Sequence, residues 1–374
     1  MLWGFGYASD KVFVTTSWDN HTDSTVVNNG AKWKLKVKTP SAGGPYTIKF
    51  KQQWQSVELT NVMIGEVWFC SGQSNMDWNY WVGVNDMQQE LNMGKQDRIR
   101  FFQIPKTTSD YPQDDTHAEW TVCDSGSLKS FSAVAYFFAK KLQAQLHVPI
   151  GLIQSSWGGT PAEVWTPAEK INNSVVLRKA YEKVDSFNWW PKTPGATFNA
   201  MMKPVINYSI AGAIWYQGEG NLASPFTYRM LLTTMIDSWR EAWGKKFPFY
   251  YVQIAPYAYG TPFVGSIVRE QQTLASKHDK VGMVVVSDLV TDTTDIHPKN
   301  KKDVGARLAN WALSETYHQK GIPHKHPQYT QMEIKKNKAF IHFANIENGL
   351  MATDKKIMAL QIAGYDRIFY PAEA

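Results

Sequence analysis

Cysteine is almost absent from this chain. Two cysteines among 374 residues, Cys70 and Cys123, cannot build a disulfide framework, and they leave open either one bond or two buried thiols. No Cys-x-x-Cys pair and no Cys/His spacing of the metal-binding kind occurs. Charge is also scarce, at 19% of residues against the roughly 25% usual in soluble domains. The net charge of +6 is dispersed, with one short basic run at Lys335, Lys336 and Lys338, so the footprint of a nucleic-acid binder is missing. No apolar run reaches the ~18 residues a membrane-spanning helix needs; the longest are Ala133–Ala139 and Val281–Val286. The first twenty residues carry no charged-then-apolar leader.

Aromatic residues, by contrast, are plentiful. They make up 14% of the chain, with 16 Trp, 17 Tyr and 18 Phe. That excludes a disordered chain, and it excludes collagen-like, coiled-coil and disulfide-scaffold classes. A chain of this length buries enough surface to need no covalent staples.

Residues 1–62 read as a β-rich module. Lys32–Lys38 alternates lysine with apolar residues, as a half-buried antiparallel strand does. Ser41–Pro45 reads as a turn, followed by strands over Tyr46–Phe50 and Val57–Val62. From Ile64 the pattern changes to short, continuous apolar runs: Ile64–Cys70, Ile99–Ile104, Val148–Gln154, Ile210–Gln217, Phe247–Ile254 and Val281–Ser287. Such runs suit strands covered on both faces. Helical periodicity lies between them, around Val134–Leu146, over Tyr228–Trp243 with Gly244 as cap, and in a third helix that starts at Pro298. The alternation predicts a parallel sheet with helices on both sides over 63–318. The segment 319–374 returns to strand-like pieces such as Ala339–Phe343 and Ile357–Ala363.

Four polar clusters each follow a predicted strand, where a parallel sheet binds its ligands. The first is Cys70-Ser71-Gly72-Gln73-Ser74-Asn75-Met76, a turn able to expose a serine beside free backbone N–H groups at a helix start. The second, Ser155–Pro161, contains Gly158 and Gly159, whose N–H groups can approach an oxyanion. The third is Trp215–Asn221, where Gln217, Glu219 and Asn221 require partners if buried. The fourth, Asp292–Pro298, places Asp295 two residues before His297, a spacing that lets a carboxylate steady a general base. A metal site from Asp288, Asp292, Asp295 and His297 lacks any known ligand spacing. Each cluster alone is as well explained by caps, turns or loop networks. Together they supply a nucleophile, oxyanion donors, a base and an acid, which is the inventory of acyl transfer.

The sequence resembles the sialate O-acetylesterase family, a branch of the SGNH hydrolases. The likeness lies in Gly65-Glu66-Val67-Trp68-Phe69-Cys70-Ser71-Gly72-Gln73-Ser74-Asn75-Met76 and Pro149–Pro161, and continues in Trp215-Tyr216-Gln217-Gly218-Glu219 and Asp295-Ile296-His297-Pro298. Gly43-Gly44-Pro45-Tyr46 and Phe369-Tyr370-Pro371-Ala372 extend it over nearly the whole chain. The resemblance implies a flavodoxin-like, three-layer α/β/α fold with a parallel sheet and small β-rich modules. It implies a serine esterase that removes O-acetyl groups from carbohydrates, sialic acid or xylan and other plant glycans, without metal or organic cofactor. Ser74 would be the nucleophile, His297 the base and Asp295 the third member. The wider superfamily places that acid three residues before the histidine, where this chain has Thr294. The N–H groups of Ser74 and of Gly158 or Gly159, with the side chain of Gln217, would hold the oxyanion. Asn75 and Glu219 would support the site, and Trp78, with Tyr80 and Trp81, would line the cleft. Family members usually carry serine where Gly220 stands. Met1-Leu2-Trp3-Gly4 looks like the middle of the family's first β module, which implies a shortened N-terminus. The partner implied is an acetylated carbohydrate, not nucleic acid or membrane, and the substrate class implies a secreted or periplasmic protein. The alternative is a non-catalytic carbohydrate-binding protein on an esterase scaffold.

Overall fold

The computed structural model describes residues 1–347, 349–350, 357 and 360–373. They fall into two compact units, Met1–His324 and Lys325–Ala374.

The first unit opens with an antiparallel sheet in the order Thr22–Val26, Lys11–Thr16, Gly43–Gln52 and Gln55–Ile64. Leu2–Phe5 pairs with Lys32–Leu35 beside it. Val12, Val14, Val27, Trp33 and Ile48 form its core. The alternating lysines of 32–38 behave as predicted only as far as Leu35, and the predicted turn at Ser41–Pro45 is shorter, since a strand already begins at Gly43.

A seven-stranded sheet dominates the unit. In chain order its strands are β1 (Glu66–Gly72), β2 (Gln96–Gln103), β3 (Trp120–Cys123), β4 (Ile150–Ser156), β5 (Gly212–Tyr216), β6 (Phe249–Val252) and β7 (Val281–Val284). Their spatial order is β7-β6-β5-β1-β4-β2-β3, all parallel except the edge strand β3. The four longest helices are α1 (Ala133–Leu146), α2 (Tyr228–Trp243), α3 (Val264–Ala275) and α4 (Lys301–Trp311). Side chains alternate across β1 and so divide the core. Trp68 and Cys70 pack with Val134, Phe138, Val304 and Leu308 of α1 and α4. Phe69 packs with Leu232, Met235, Trp239 and Val268 of α2 and α3. This is the expected three-layer α/β/α fold, with both faces of the sheet covered.

The chain leaves β1 outward to β2, returns to β4 beside β1, then crosses to β5 on the other side. The carboxyl ends of β4, β1 and β5 thus lie together where the winding reverses, which is where open α/β sheets bind ligands. Both cysteines are buried and unbonded. Burial pushes the Cys70 thiol well up and that of Cys123 up to about 12.

The third predicted helix begins later than the sequence implies. Asn300 caps it by accepting from the Asp303 N–H at 3.1 Å, so α4 starts at Lys301 and Pro298 lies outside it. In the second unit Gln328–Lys335 pairs with Lys338–Ala344, and Gln361–Ala363 pairs with Phe369–Pro371, both antiparallel. The strand expected over Ile357–Ala363 is present at its last three residues, and positions 358–359 lie outside the described residues.

Candidate active site

Ser74 opens a one-turn helix, Ser74–Asp77, directly after β1. Gly72 makes the bend with φ +142, and the Gln73 N–H donates to the Tyr216 carbonyl on β5 at 3.0 Å. A Cβ on Gly72 would stand 2.2 Å from that same carbonyl oxygen, so only glycine lets β1 and β5 close here. As the first helical residue, Ser74 has a free N–H among the described residues.

His297 reaches the serine from the loop before α4. Its Nε2 lies 2.9 Å from Ser74 Oγ, across 223 positions of chain. The imidazole stacks on Trp78, with ring centroids 4.3 Å apart and an interplanar angle of 17°. Trp78, the residue that follows the helix carrying Ser74, therefore braces the His297 ring. Tyr80 turns its hydroxyl to Gln88 at 3.0 Å, and Trp81 is exposed beneath Lys129. A helix starting at Pro298 would set its N-terminus beside His297, but α4 starts four residues beyond the histidine. Burial lowers its pKa, Lys301 lowers it further, and Asp295 opposes them.

Asp295 sits beside His297 but reaches its backbone more closely than its ring. Its Oδ1 accepts from the His297 backbone N–H at 2.8 Å and lies 3.7 Å from the ring Nδ1. Asp292 caps Thr294, and Asp288 forms a bidentate pair with Arg307 at 2.7 and 2.5 Å. The carboxylates of this stretch thus face different partners, and no group of three metal-ligating side chains gathers among the described residues.

The glycines of the second cluster lie against Ser74. A Cβ on Gly158 would come within 3.5 Å of Ser74 Cβ. Gly159 has φ +81, and Trp190 covers it so closely that a Cβ would stand 2.0 Å from the indole. The Trp157 N–H donates to the Gly72 carbonyl at 3.0 Å, which ties this loop to the serine turn. The N–H groups of Gly158 and Gly159 have no protein acceptor among the described residues.

Gln217 departs from its expected place. It is fully buried, its amide donates to the Thr160 carbonyl at 3.2 Å and to Asn221 Oδ1 at 2.8 Å, and its Oε1 accepts from the Tyr228 hydroxyl at 2.8 Å. Both amide hydrogens are engaged, which leaves none for an oxyanion. The loop after it is held instead by Gln73, whose Oε1 accepts from the N–H groups of Gly218 and Gly220 at 3.4 and 3.0 Å. Gly220 leaves no room for a larger residue in this backbone: a Cβ would meet the Thr160 carbonyl at 2.8 Å.

A buried polar chain underlies Ser74 and the His297 loop. Asn75 donates to Glu219 Oε1 at 2.9 Å and to the Ile296 carbonyl at 3.1 Å, and accepts from Lys301 Nζ at 2.6 Å. Asn75 thereby joins the serine turn, the Glu219 loop and the histidine loop. Burial raises the Glu219 pKa and lowers that of Lys301 to about 7. The Lys301 ammonium lies 5.5 Å from the Trp78 ring and 5.3 Å from that of Tyr216. Sequence reasoning missed this lysine, because lysines are read as solvated. Its signal was a cation in the first turn of a helix, where the dipole disfavours it.

Residues 64–314 match the family model described as carbohydrate esterase, sialic acid-specific acetylesterase. The human sialate O-acetylesterase is 27% identical over 378 residues, covering 91% of this chain and 72% of that protein. The rat sialate O-acetylesterase is 27% identical over 400 residues, covering 89% and 73%. Among solved structures, a carbohydrate acetylesterase from Xanthomonas citri superposes with a TM-score of 0.87 at 30% identity, over 100% of this chain and 84% of that one. The model spans most of the chain, and the site described above falls inside its limits; the chain belongs to the sialic acid-specific acetylesterase family of carbohydrate esterases.

Proposed function

We propose that this protein removes O-acetyl groups from carbohydrates through an acetyl-enzyme formed on Ser74. The observation that carries the reading is the 2.9 Å contact between Ser74 Oγ and His297 Nε2 at the switch point of the sheet. With its pKa lowered, His297 is neutral near pH 7 and accepts the serine proton. Ser74 Oγ attacks the acetyl carbonyl carbon. The carbonyl electron pair moves to oxygen, which is held by the N–H groups of Ser74 and of Gly158 or Gly159. The tetrahedral adduct collapses, and the sugar oxygen leaves with the proton carried by His297. Water then attacks the acetyl group, gives a proton to His297 and releases acetate, and Ser74 recovers its proton.

Asp295, 3.7 Å from Nδ1, favours the imidazolium that forms and fixes the backbone of the base. Gln217 shapes the 218–220 turn and does not donate to the oxyanion. Asn75, Glu219 and Lys301 lock the loops in register. The substrates of this reading are O-acetylated sialic acids or acetylated xylan and related plant glycans. They place the protein in a secreted or periplasmic setting.

The test is acetate release by wild type and Ser74→Ala from a short acetyl ester, O-acetylated sialic acid and acetylated xylan. The wild type should turn over at least one carbohydrate ester. The variant should lose roughly 10³–10⁶ of that rate while keeping its fold. Equal turnover by both would remove Ser74 from the mechanism. No turnover of any ester by the wild type would leave a binding protein on an esterase scaffold.

A further inference from the structure

Three aromatic rings stand near the serine, and the mechanism uses none of them. Phe187 and Trp190 form an isolated antiparallel bridge that closes a tight turn. Trp189, in the turn, is 65% exposed, and Phe187 is 40% exposed. The rings cluster, with centroids 4.5 Å apart for Phe187 and Trp190 and 5.3 Å for Trp189 with each of the others. Tight turns favour small polar residues or glycine, and an indole held there in water leaves its large apolar surface unused.

This turn is fastened to the active site. Trp157 Nε1 donates to the Trp189 carbonyl at 3.2 Å. The Trp190 indole covers Gly159, where a Cβ would stand 2.0 Å from the ring. Gly158, the preceding residue, lies against Ser74. The aromatic ridge thus continues directly from the glycines that face the nucleophile. It has no charge of its own. Lys192, the cation nearest in sequence, is turned away, with Nζ donating to the Val184 carbonyl at 3.2 Å and lying 5.8 Å from the Tyr181 ring.

We propose that Phe187, Trp189 and Trp190 form a sugar subsite, which takes the apolar face of an uncharged pyranose ring next to the acetylated residue presented to Ser74. A pyranose carries C–H groups across its face and hydroxyls around its edge. An electron-rich indole face complements the first, and water at the open rim solvates the second. The enzyme therefore favours acetylated oligosaccharides over small acetyl esters. This rests on the carbohydrate esterase reading above.

The experiment compares kcat/KM for 4-nitrophenyl acetate with that for acetylated xylo-oligosaccharides and acetylated manno-oligosaccharides, and includes O-acetylated sialic acid as the charged monosaccharide. Trp189→Ala alters an exposed turn residue, and Trp189→Phe keeps a ring there. Losing one stacked ring should lower kcat/KM on the oligosaccharides roughly ten-fold, mainly through KM. The same variant should act on 4-nitrophenyl acetate as the wild type does, and Trp189→Phe should retain most oligosaccharide activity. A fall of equal size on both substrates, or no fall on either, overturns the subsite and leaves the esterase reading intact. Activity confined to O-acetylated sialic acid, unaffected by Trp189→Ala, also overturns the subsite alone. If the wild type releases acetate from 4-nitrophenyl acetate but from no carbohydrate, the carbohydrate esterase reading fails and the subsite falls with it.

Discussion

Replacing Gly72 by alanine should dislodge Ser74 by forcing two strands apart. The residue ends β1 with φ +142, a conformation that L side chains rarely adopt. The added methyl would stand 2.2 Å from the Tyr216 carbonyl oxygen and 2.8 Å from its carbon, both in the backbone of β5. Neither atom can rotate away, because β1 and β5 are registered from Gly212 opposite Trp68 to Tyr216 opposite Gly72. The backbone strain costs about 1–3 kcal/mol and the overpacking a further ~1–3 kcal/mol, giving a central value near 4 kcal/mol. At about 1.3 °C per kcal/mol for a chain of this size, the melting temperature should fall by roughly 5 °C. Scanning calorimetry of the variant measures this, with Gly158→Ala as the comparison. There the new methyl would sit 3.5 Å from Ser74 Cβ, an ordinary contact, so the melting temperature should stay within about 2 °C of wild type. Activity of Gly72→Ala on a short acetyl ester, read well below its melting temperature, should also fall, since the bend that presents Ser74 is altered. A Gly72→Ala protein that melts and turns over like the wild type would refute the argument that this bend sets the serine's position.

The acid limb of kcat/KM should lie below the ordinary histidine range, because a lowered pKa keeps His297 neutral to lower pH. Lys301→Met removes one of the groups that lower that pKa, so the limb should move to higher pH; a limb that stays in place or moves down would detach Lys301 from the base. Gln217→Met strips the amide donors with little change in volume, and the loss should be chiefly thermal stability. A fall in turnover below ten-fold at a temperature where the variant is folded fits a residue that shapes the loop, whereas about 10²–10³ would restore it as an oxyanion donor.

The parallel strands were legible because a strand covered on both faces must be apolar throughout, and Phe69, Ile153, Ile214 and Tyr251 read that way. Strand β3 was not legible, since Trp120–Cys123 is four residues long and only half-buried at the sheet edge. Helix α3 escaped because its polar stretch Arg269-Glu270-Gln271-Gln272 hides the buried stripe of Val264, Val268 and Ala275. The serine and histidine clusters were legible as types of residue at strand ends. The orientation of Gln217 in the third cluster was not. Whether Gln217 faces the nucleophile or the interior depends on Tyr228 and Asn221, and Asn221 is itself bonded to Glu163 at 2.7 Å, a partner 58 positions distant. Lys301 was invisible for the same reason: its burial depends on Asn75, 226 positions away.

The 223 positions between Ser74 and His297 also bear on how the protein acquires its activity. The two groups meet only after β1, β5, β6 and β7 have paired and α4 has docked beside α1, all through contacts remote in sequence. Closing such long loops comes late and slowly in folding. During refolding, regained turnover therefore follows the last assembly step, whereas helix content recovers earlier. On the proposed mechanism, a fragment that stops before residue 297 keeps Ser74, Gly158 and Gly159 but lacks His297, so it should release no acetate even where its sheet forms.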